Sequence, residues 1–375
     1  MTEIESLLIL NGILGLGNIR IRKLFEHFGS ASQVLSASRK ELTAGAAIPA
    51  SVADNIIRFP KDEYLKSEYS LMEKHGVRAV SYEDQDYPEN LNQIPDAPVL
   101  LYVKGDLKKE NNLAVAIVGS RKASFYGLSI AEKFARELSE FGITIVSGMA
   151  RGIDTKAHEG ALRAKGPTIA VLGNGLSEIY PPENQKLFED IAKNGAIISE
   201  FPMTTPPAAY NFPRRNRVIS GLSLGVVIVE ASNKSGALIT SRFALEQGRE
   251  VFAVPGKVDS PNSQGVHKLI KEGAKLTNSV SDILEELAPQ LKHRIKEEKP
   301  ISDTKFEEKV LTRNLSNEEK TIYGRISDQA MHIDEIVDQS GCSASQAMAV
   351  LLKLELKHLI RQLPGKLFVK TGINA

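Results

Sequence analysis

Short hydrophobic runs in the middle of the chain alternate with stretches of mixed polarity, and three of the runs lead directly into glycine. The runs that end on glycine are Ala114–Val118, Ile143–Ser147 and Thr168–Leu172. Similar runs follow at 196–199, 226–230 and 250–254. Nearly continuous apolar runs are typical of parallel strands buried on both faces, and the stretches between them suit helices. The pattern predicts an α/β fold with a doubly wound sheet over residues 76–287.

Helical spacing dominates residues 1–75, which we predict to form a small helical domain. Apolar residues between Ile21 and Phe28 recur at intervals of three and four, as on one face of a helix. The preceding Gly15-Leu16-Gly17 predicts a tight turn, similar to that of a helix-hairpin-helix element. Two interpretations of this turn stay open: its amides contact a DNA backbone, or it is purely structural.

The last quarter of the chain changes character twice. Residues 288–314 are rich in lysine and glutamate and contain Pro289 and Pro300, which predicts a solvated linker. Residues 315–375 predict helices near 317–326, 333–339 and 344–357, then two short strands around Pro364-Gly365. Three helices and a hairpin are the order of a winged-helix domain. Its third helix is not strongly basic, which favours a stabilising or protein-contacting role over DNA reading.

Composition and charge restrict the classes of function. The 375 residues carry a formal net charge of +1, so any nucleic-acid binding must come from a local patch. The single cysteine and the absence of zinc-like Cys/His spacing predict no metal and no cofactor. No apolar run approaches the ~18 residues of a membrane span, and Glu3 and Glu5 replace the basic start of a signal peptide. We expect a cytoplasmic protein.

The glycine turns predict a phosphate-binding surface. Parallel strands bring these turns to one sheet edge, where glycine lets backbone amides approach an anion at a helix N-terminus. The candidates are Gly119, Ser120, Arg121, Gly148, Arg151, Gly152, Lys234, Ser235, Gly236 and Lys257. For Arg121, capping of a neighbouring helix stays an alternative. For Arg151, the alternative is a salt bridge with Asp154 or Glu159.

A cluster of arginines between 211 and 217 precedes a predicted helix at about Val218. Arginines of this kind follow a nucleic-acid backbone, while an aromatic ring stacks on a base for about 1–3 kcal/mol. The candidate DNA contacts here are Asn211, Phe212, Arg214, Arg215 and Asn216. Alternatively, Phe212 fills the core beneath the loop, and the arginines form ion pairs with Glu200 or Glu230.

Familiar nucleotide-binding motifs are absent from the sequence. There is no G-x-x-x-x-G-K-[ST] motif, which excludes a P-loop. Glu178 stands where the third glycine of a dinucleotide fingerprint belongs, which argues against NAD or FAD. Asp154 and His158 lie one helical turn apart, but Asp154 is more simply a helix cap or a partner of the helix dipole. His158 has no second ligand or nucleophile nearby in sequence.

Together these motifs resemble the DNA-processing protein A family, also called Smf. The resemblance rests on AIVGSRKAS at 116–124, VSGMARGIDTKAHEGAL at 146–162, IYPPEN at 179–184, NFPRRNRVISGLS at 211–223, SGALITSRFALEQGREVFAVPG at 235–256 and SQGVHKLIKEGAKL at 263–276. It implies an extended Rossmann-like, mostly parallel sheet with a sterile-alpha-motif or helix-hairpin-helix-like N-terminal domain and a winged-helix C-terminal domain. It also implies that the protein binds and protects incoming single-stranded DNA and loads the RecA recombinase in natural transformation.

The resemblance also assigns roles to residues. It implies a phosphate contact at Gly119, Ser120 and Arg121, base stacking at Phe212 and a second phosphate loop at Lys234-Ser235-Gly236. Relatives often carry a lysine where this chain has Ala209, so one implied contact with the DNA backbone is missing here. Arg214 of this chain is a candidate to replace that contact. A homodimer is implied through residues 263–276, namely His267, Ile270 and Leu276, which core packing would explain equally well.

An enzymatic alternative stays open beside this non-enzymatic interpretation. The central region more distantly resembles nucleoside-monophosphate phosphoribohydrolases, with Gly236, Thr240 and Glu246 in a loosely comparable stretch. The P-G-G-x-G-T-x-x-E spacing of those enzymes is missing, because SGALITSRFALE contains one glycine. A winged-helix regulator with a ligand domain is a third, weaker interpretation.

Overall fold

The chain forms two compact units, Met1–Leu291 and Lys292–Ala375. The structure is a computed structural model that describes residues 1–45, 48–298, 317–326, 330–356, 359–363 and 365–370. Within these ranges no helix is both long and apolar enough to cross a membrane. The same ranges contain no cluster of three histidine, cysteine or acidic side chains arranged to hold a metal ion.

A nine-stranded sheet forms the centre of the first unit. Its strands are β1 Arg78–Ser81, β2 Leu100–Gly105, β3 Ala114–Val118, β4 Thr144–Ser147, β5 Thr168–Val171, β6 Ala196–Ser199, β7 Gly225–Ile228, β8 Glu250–Ala253 and β9 Lys275–Leu276. The order across the sheet is β1-β2-β6-β5-β4-β3-β7-β8-β9. Across the sheet, the seven neighbouring strands β6, β5, β4, β3, β7, β8 and β9 all pair in parallel. Strand β2 pairs antiparallel with both β6 and β1. The predicted doubly wound, mostly parallel α/β sheet is confirmed.

Helices cover both faces of this sheet. Those after the first strand are α7 Glu89–Asn92, α8 Phe125–Glu140, α9 Ile153–Arg163, α10 Gln185–Asn194, α11 Asn211–Leu222, α12 Ala237–Glu246, α13 Gln264–Lys271 and α14 Val280–Glu298, with short 3₁₀ turns at Lys109–Asn112 and Pro182–Asn184. Alternate residues of a strand point to opposite faces. Leu101 and Val103 accordingly join the core that contains residues of α11, α12 and α13, whereas Leu100 and Tyr102 join the opposite core.

The first 75 residues form a helical layer on that opposite face. Its helices are α1 Glu3–Gly12, α2 Asn18–Phe28, α3 Ala31–Ser36, α4 Arg39–Ala44, α5 Ala50–Arg58 and α6 Lys61–His75. Leu7 to Leu10 and Ile21 share one apolar core with Leu100, Tyr102 and Ile197 of the sheet. The layer therefore belongs to the same compact unit as the sheet. The 15–17 turn is tight, with Gly15 at φ +84°, and its contact with DNA stays a prediction.

The second unit has the winged-helix arrangement that we predicted. It contains α15 Asn317–Tyr323, β10 Met331–His332, α16 Ile333–Ser340, α17 Ala344–Leu356, β11 Ile360–Leu363 and β12 Leu367–Lys370. The three strands pair in the order β10-β12-β11 around a core that includes Ile336, Leu351 and Phe368. Strand β10 was not predicted, because it has only two residues. Pro364 lies outside the described residues.

The predicted linker begins as helix. Helix α14 includes Pro289 and continues through Glu298, so Pro289 does not interrupt it as expected. An internal proline removes one backbone hydrogen bond at a cost of about 3 kcal/mol, but the surrounding leucines, glutamates and lysines favour helix on both sides. Residues 299–316 lie outside the described part of the chain.

Candidate nucleic-acid interface

The sheet order creates a crevice between the ends of two neighbouring strands. From β3 the chain winds outward through β4, β5 and β6, whereas from β7 it winds the other way through β8 and β9. Loops after β3 and β7 therefore diverge, and this switch point is where open α/β sheets bind ligands. A cavity of about 820 Å³ opens there. The predicted residues that line it are Gly119, Ser120, Arg121, Phe212, Arg215, Asn216, Ser235 and Gly236.

Arg121 presents its guanidinium at the mouth of this cavity, which we call the switch-point cavity. Its side chain is exposed, and its Cζ atom lies 4.9 Å from the centroid of the Phe212 ring. Among the described residues it forms no ion pair and caps no helix. A guanidinium that rests on a ring face still has its N–H edge available for a phosphate.

The helix that follows the Arg121 loop already has an anion at its N-terminus. The carboxylate of Glu230, at the end of β7, accepts hydrogen bonds from the Ser124 N–H at 2.8 Å and from its hydroxyl at 2.5 Å. A Cβ at Gly127 would lie 2.6 Å from the Glu230 carboxyl carbon, so this first turn of α8 encloses the carboxylate. The N-terminus of α8 therefore already holds a carboxylate, while the predicted phosphate contact of Arg121 stays a prediction.

Gly152 lets the second loop touch the first. Its φ is +81°, a conformation that favours glycine. A Cβ there would lie against the Ser120 carbonyl oxygen and 3.0 Å from the carbonyl carbon of Arg121. Gly152 therefore supports the Arg121 loop by packing and does not line the cavity.

Arg151 is exposed and pairs with Glu183, not with either of the acids considered from the sequence. The partner lies 32 residues further along the chain, so local spacing gave no signal for it. Arg151 does not line the switch-point cavity. Its role in DNA binding stays a prediction.

Phe212 is half-buried beside the cavity and is not a fully enclosed core residue. Its ring centroid lies 5.8 Å from that of Tyr180, with the planes tilted by 34°. A Cβ at Gly173 would lie 2.8 Å from Cδ1 of Phe212, so this glycine makes room for the ring. Asn211 is buried, and its side-chain amide donates to the Pro206 carbonyl at 3.5 Å. It does not line the cavity, which argues against its predicted direct contact with DNA.

Arg215 is buried in the cavity wall, which favours a structural role over its predicted direct DNA contact. It is 4% exposed and donates to the carbonyl oxygens of Gly148, at 2.6 Å, and Val171. Burial lowers the pKa of its guanidinium to about 10 despite the nearby Asp154 carboxylate. A Cβ at Gly148 would lie 2.5 Å from this guanidinium. Arg215 is therefore part of the cavity wall, and Gly148 makes room for its guanidinium from behind.

The buried Asp154 carboxylate, in the first turn of α9, binds the loop that precedes this helix. It accepts hydrogen bonds from the backbone N–H groups of Gly148 at 3.2 Å and Ala150 at 3.4 Å. Burial raises its pKa, while the Arg215 charge opposes that rise. These amides precede α9, whose N-cap is Gly152, so Asp154 holds the loop after β4 and does not cap the helix as predicted. The positive charge of Arg215 lies near this carboxylate in the cavity wall.

The other arginines of this segment do not face the cavity. Arg217 pairs with Glu200, as the sequence alternative proposed, and its Nε lies 3.2 Å from Asp96. Asn18 of α2 donates to the same Glu200 carboxylate at 2.8 Å, which ties the helical layer to α11. Arg214 is exposed and lies over the Phe201 ring at 5.0 Å, so its predicted DNA contact is untested by the cavity geometry.

The N-terminus of α12 forms the opposite side of the cavity. Gly236 is its N-cap, with φ −61°, and the Ser235 hydroxyl accepts a hydrogen bond from the Ala237 N–H at 3.3 Å. A Cβ at Gly236 would meet no atom within 4 Å, so neither packing nor backbone conformation requires glycine there. Ser235 and Gly236 line the cavity, whereas Lys234 and Lys257 are exposed outside its lining.

Sequence reasoning missed part of the lining. Lys122, Tyr180 and Asn262 also line the cavity. Lys122 and Tyr180 lie in the quoted motifs 116–124 and 179–184, so their residue types were a usable signal. Asn262 follows β8 and had no local signal.

Each enzymatic alternative lacks one of its residues at the cavity. Gly236, Thr240 and Asp154 line it, whereas Glu246 and His158 do not. Glu246 is exposed at the last position of α12, about 15 Å along the helix from Gly236. His158 is fully buried, with Nδ1 2.7 Å from the Thr168 hydroxyl, and burial lowers its pKa to about 3. Neither residue is placed to reach a ligand in the cavity.

Comparison with known proteins gives the family. A model described as DNA recombination-mediator protein A matches residues 78–288, and one described as DprA winged helix domain matches residues 307–366. The chain belongs to the DNA-processing protein A (DprA) family. The resemblance stated from the motifs is therefore confirmed.

Relatives and solved structures agree over most of the chain. Protein Smf of Escherichia coli K12 is 39% identical over 314 residues, which cover 84% of this chain and 82% of that protein. The X-ray structure of DprA from Streptococcus pneumoniae has a TM-score of 0.67 and 38% identity, covering 76% of this chain and 98% of that one. A Helicobacter pylori DprA structure that describes its single-stranded DNA binding mode has a TM-score of 0.51 and 32% identity, covering 57% and 96%.

Proposed function

We propose that this DprA-family protein binds single-stranded DNA in the switch-point cavity. The observation that carries the proposal is the meeting of three groups there: the exposed Arg121 guanidinium, the half-buried Phe212 ring and the amino end of α12. A cation that holds a phosphate beside an aromatic ring that holds a base is the usual combination for sequence-tolerant binding of single strands. The binding mode described for the H. pylori relative supports the same ligand.

The geometry favours a single strand over a duplex. A cavity of about 820 Å³ is in the range that encloses a small ligand, which corresponds to a nucleotide unit of a strand. In a duplex the faces of the bases are covered by stacking, so the Phe212 ring has no face to meet. The nearby cations, Arg121 and Lys122, meet the phosphate charge of the same strand.

The test is a fluorescence-anisotropy titration of an oligothymidylate and of a duplex of equal length at several ionic strengths. We expect tighter binding of the single strand and an affinity that falls with salt. Arg121→Glu should abolish binding while circular dichroism shows an intact fold. Arg136→Glu, at an exposed arginine of α8, is the control and should bind as the wild type does. Wild-type affinity in Arg121→Glu would refute the proposal.

We further infer that the bound strand is protected and passed to a RecA-type recombinase. The family model's description as a recombination mediator supports this step. Strand protection predicts slower nuclease digestion of bound oligothymidylate. Loading predicts faster recombinase filament formation on DNA covered by a single-strand binding protein, measured by its ATPase rate. A rate unaffected by added protein would contradict the loading step.

We also propose a homodimer through α13 and β9. Leu276 is 46% exposed on β9, the last strand of the sheet, and Ile270 is only partly buried on α13. His267 contributes less, because its Nε2 lies 3.1 Å from the Gly256 carbonyl oxygen. Leu276→Glu should shift the sedimentation coefficient from dimer to monomer. A monomeric wild-type protein would contradict the dimer.

A further inference from the structure

A second surface adjoins the switch-point cavity on the side of the loops after β3 and β8. We call it the outer wall, and it consists of Lys122, Phe125, Tyr126, Lys257 and Val258. Phe125 is 87% exposed and Val258 is 88% exposed, while Tyr126 is about half exposed. Single exposed apolar residues are common on protein surfaces, but three of them beside lysines, at the start of α8 and on the loop after β8, require an explanation.

Hydrogen bonds hold the two loops of the outer wall together. The Tyr126 hydroxyl donates to the Pro255 carbonyl at 3.0 Å. The Asn262 amide donates to the Lys122 carbonyl at 3.0 Å, and both of these residues line the cavity. The Glu230 carboxylate fixes Ser124, directly before Phe125. The wall is therefore a pre-organised continuation of the cavity.

We propose that the outer wall is a second base-stacking site for the strand that occupies the cavity. This inference rests on the proposed function and extends it. A base beyond the cavity stacks on Phe125 and Val258, and its flanking phosphates face Lys122 and Lys257. Asp259 on the same loop opposes phosphate, so stacking on the ring, more than charge, supplies the attraction.

The chain contains no tryptophan, so a single substitution creates a unique fluorescent reporter. Phe125→Trp reports on the outer wall, Phe212→Trp on the cavity, and Tyr69→Trp on a partly exposed site of α6 as control. Each is titrated with oligothymidylates of about 4 and about 20 nucleotides, which bracket common site sizes. We expect both oligomers to quench Phe212→Trp, only the longer to quench Phe125→Trp, and neither to quench Tyr69→Trp.

Two results would overturn the outer-wall site. One is unquenched Phe125→Trp at saturating long oligomer while Phe212→Trp responds, which would leave the proposed function intact. The other is an absence of binding by the wild-type protein, which would remove both proposals.

An affinity measurement tests the same site without a reporter. Phe125→Ala should weaken binding of the long oligomer about tenfold, equivalent to about 1.4 kcal/mol, and leave the short one unchanged. Equal losses for both lengths, or a changed sedimentation coefficient with unchanged affinity, would assign Phe125 to folding or to a protein partner instead.

Discussion

Two arginines lie near the Phe212 ring, and their burial predicts opposite consequences when each is replaced by methionine. The Cζ atom of Arg121 is 4.9 Å from the ring centroid and that of Arg215 is 6.0 Å away. Arg121 is exposed, whereas Arg215 is 4% exposed. Methionine keeps an unbranched apolar side chain and removes the charge, so the comparison isolates the role of each guanidinium.

The structure sets the expected magnitudes. Arg215→Met leaves two carbonyl oxygens without their donor and removes the larger of the two arginine charges that offset the buried Asp154 carboxylate. Breaking a buried charge pair in this way lowers the free energy of unfolding by about 3–5 kcal/mol. Arg121→Met should change it by no more than about 0.5 kcal/mol, as for exposed residues generally. Its loss of a charged hydrogen bond to phosphate should instead weaken DNA binding by about 1.5–3 kcal/mol.

Urea unfolding followed by circular dichroism measures the first effect, and anisotropy titrations over a range of salt measure the second. Because Arg121→Met removes one cation that neutralises a phosphate, the slope of log affinity against log salt should be shallower than that of the wild type by about 0.7. Arg215→Met should keep the wild-type slope under conditions where it is folded. Arg136→Met is the control for loss of an exposed charge. A reduced slope with unchanged stability in Arg215→Met would refute our assignment of these two residues.

Two further predictions concern a glycine and a histidine. Gly236→Ala should alter the free energy of unfolding by less than about 1 kcal/mol, because its Cβ would meet no atom within 4 Å, yet weaken oligothymidylate binding. Gly17→Ala makes the same change at the equally open N-cap of α2 and is the matched comparison; equal affinities would exclude a phosphate at Gly236. The pKa of His158 is lowered to about 3 by burial, so below its ordinary value of 6.5 the unfolded chain binds a proton that the folded one does not. Stability should therefore fall by roughly 1.4 kcal/mol per pH unit from about 6.5 towards 3, and His158→Gln should remove that part of the pH dependence in urea titrations.

The strands of the central sheet were predictable because burial on both faces produces continuous apolar runs. The same reasoning failed for β9, whose two residues are exposed. Local periodicity also shows that a helix has an apolar face without showing what covers it. The sharing of one core by Leu7 and Tyr102 therefore had no sequence signal.

The candidate site was predictable where a strand, a glycine turn and a helix follow one another, as around Arg121. It was less predictable around Arg215, because α11 begins at Asn211 and not at about Val218. Within a helix, neighbouring residues point about 100° apart, which turns Arg215 inward and Arg214 outward. The acids Glu183 and Glu230 were missed as partners, because they are distant in sequence from Arg151 and Ser124.

The contact between Asn18 and Glu200 has a consequence for shortened forms of this protein. A fragment that starts at residue 76 would lose the amide that holds this carboxylate and would leave Leu100 and Tyr102 facing water. Glu200 also pairs with Arg217 of α11, the helix that carries Phe212. The deletion would therefore weaken one contact that holds α11 in place, although no deleted residue lines the cavity. DNA affinities measured on such a fragment would come from a less firmly held Phe212 helix. They would underestimate the DNA affinity of the intact protein.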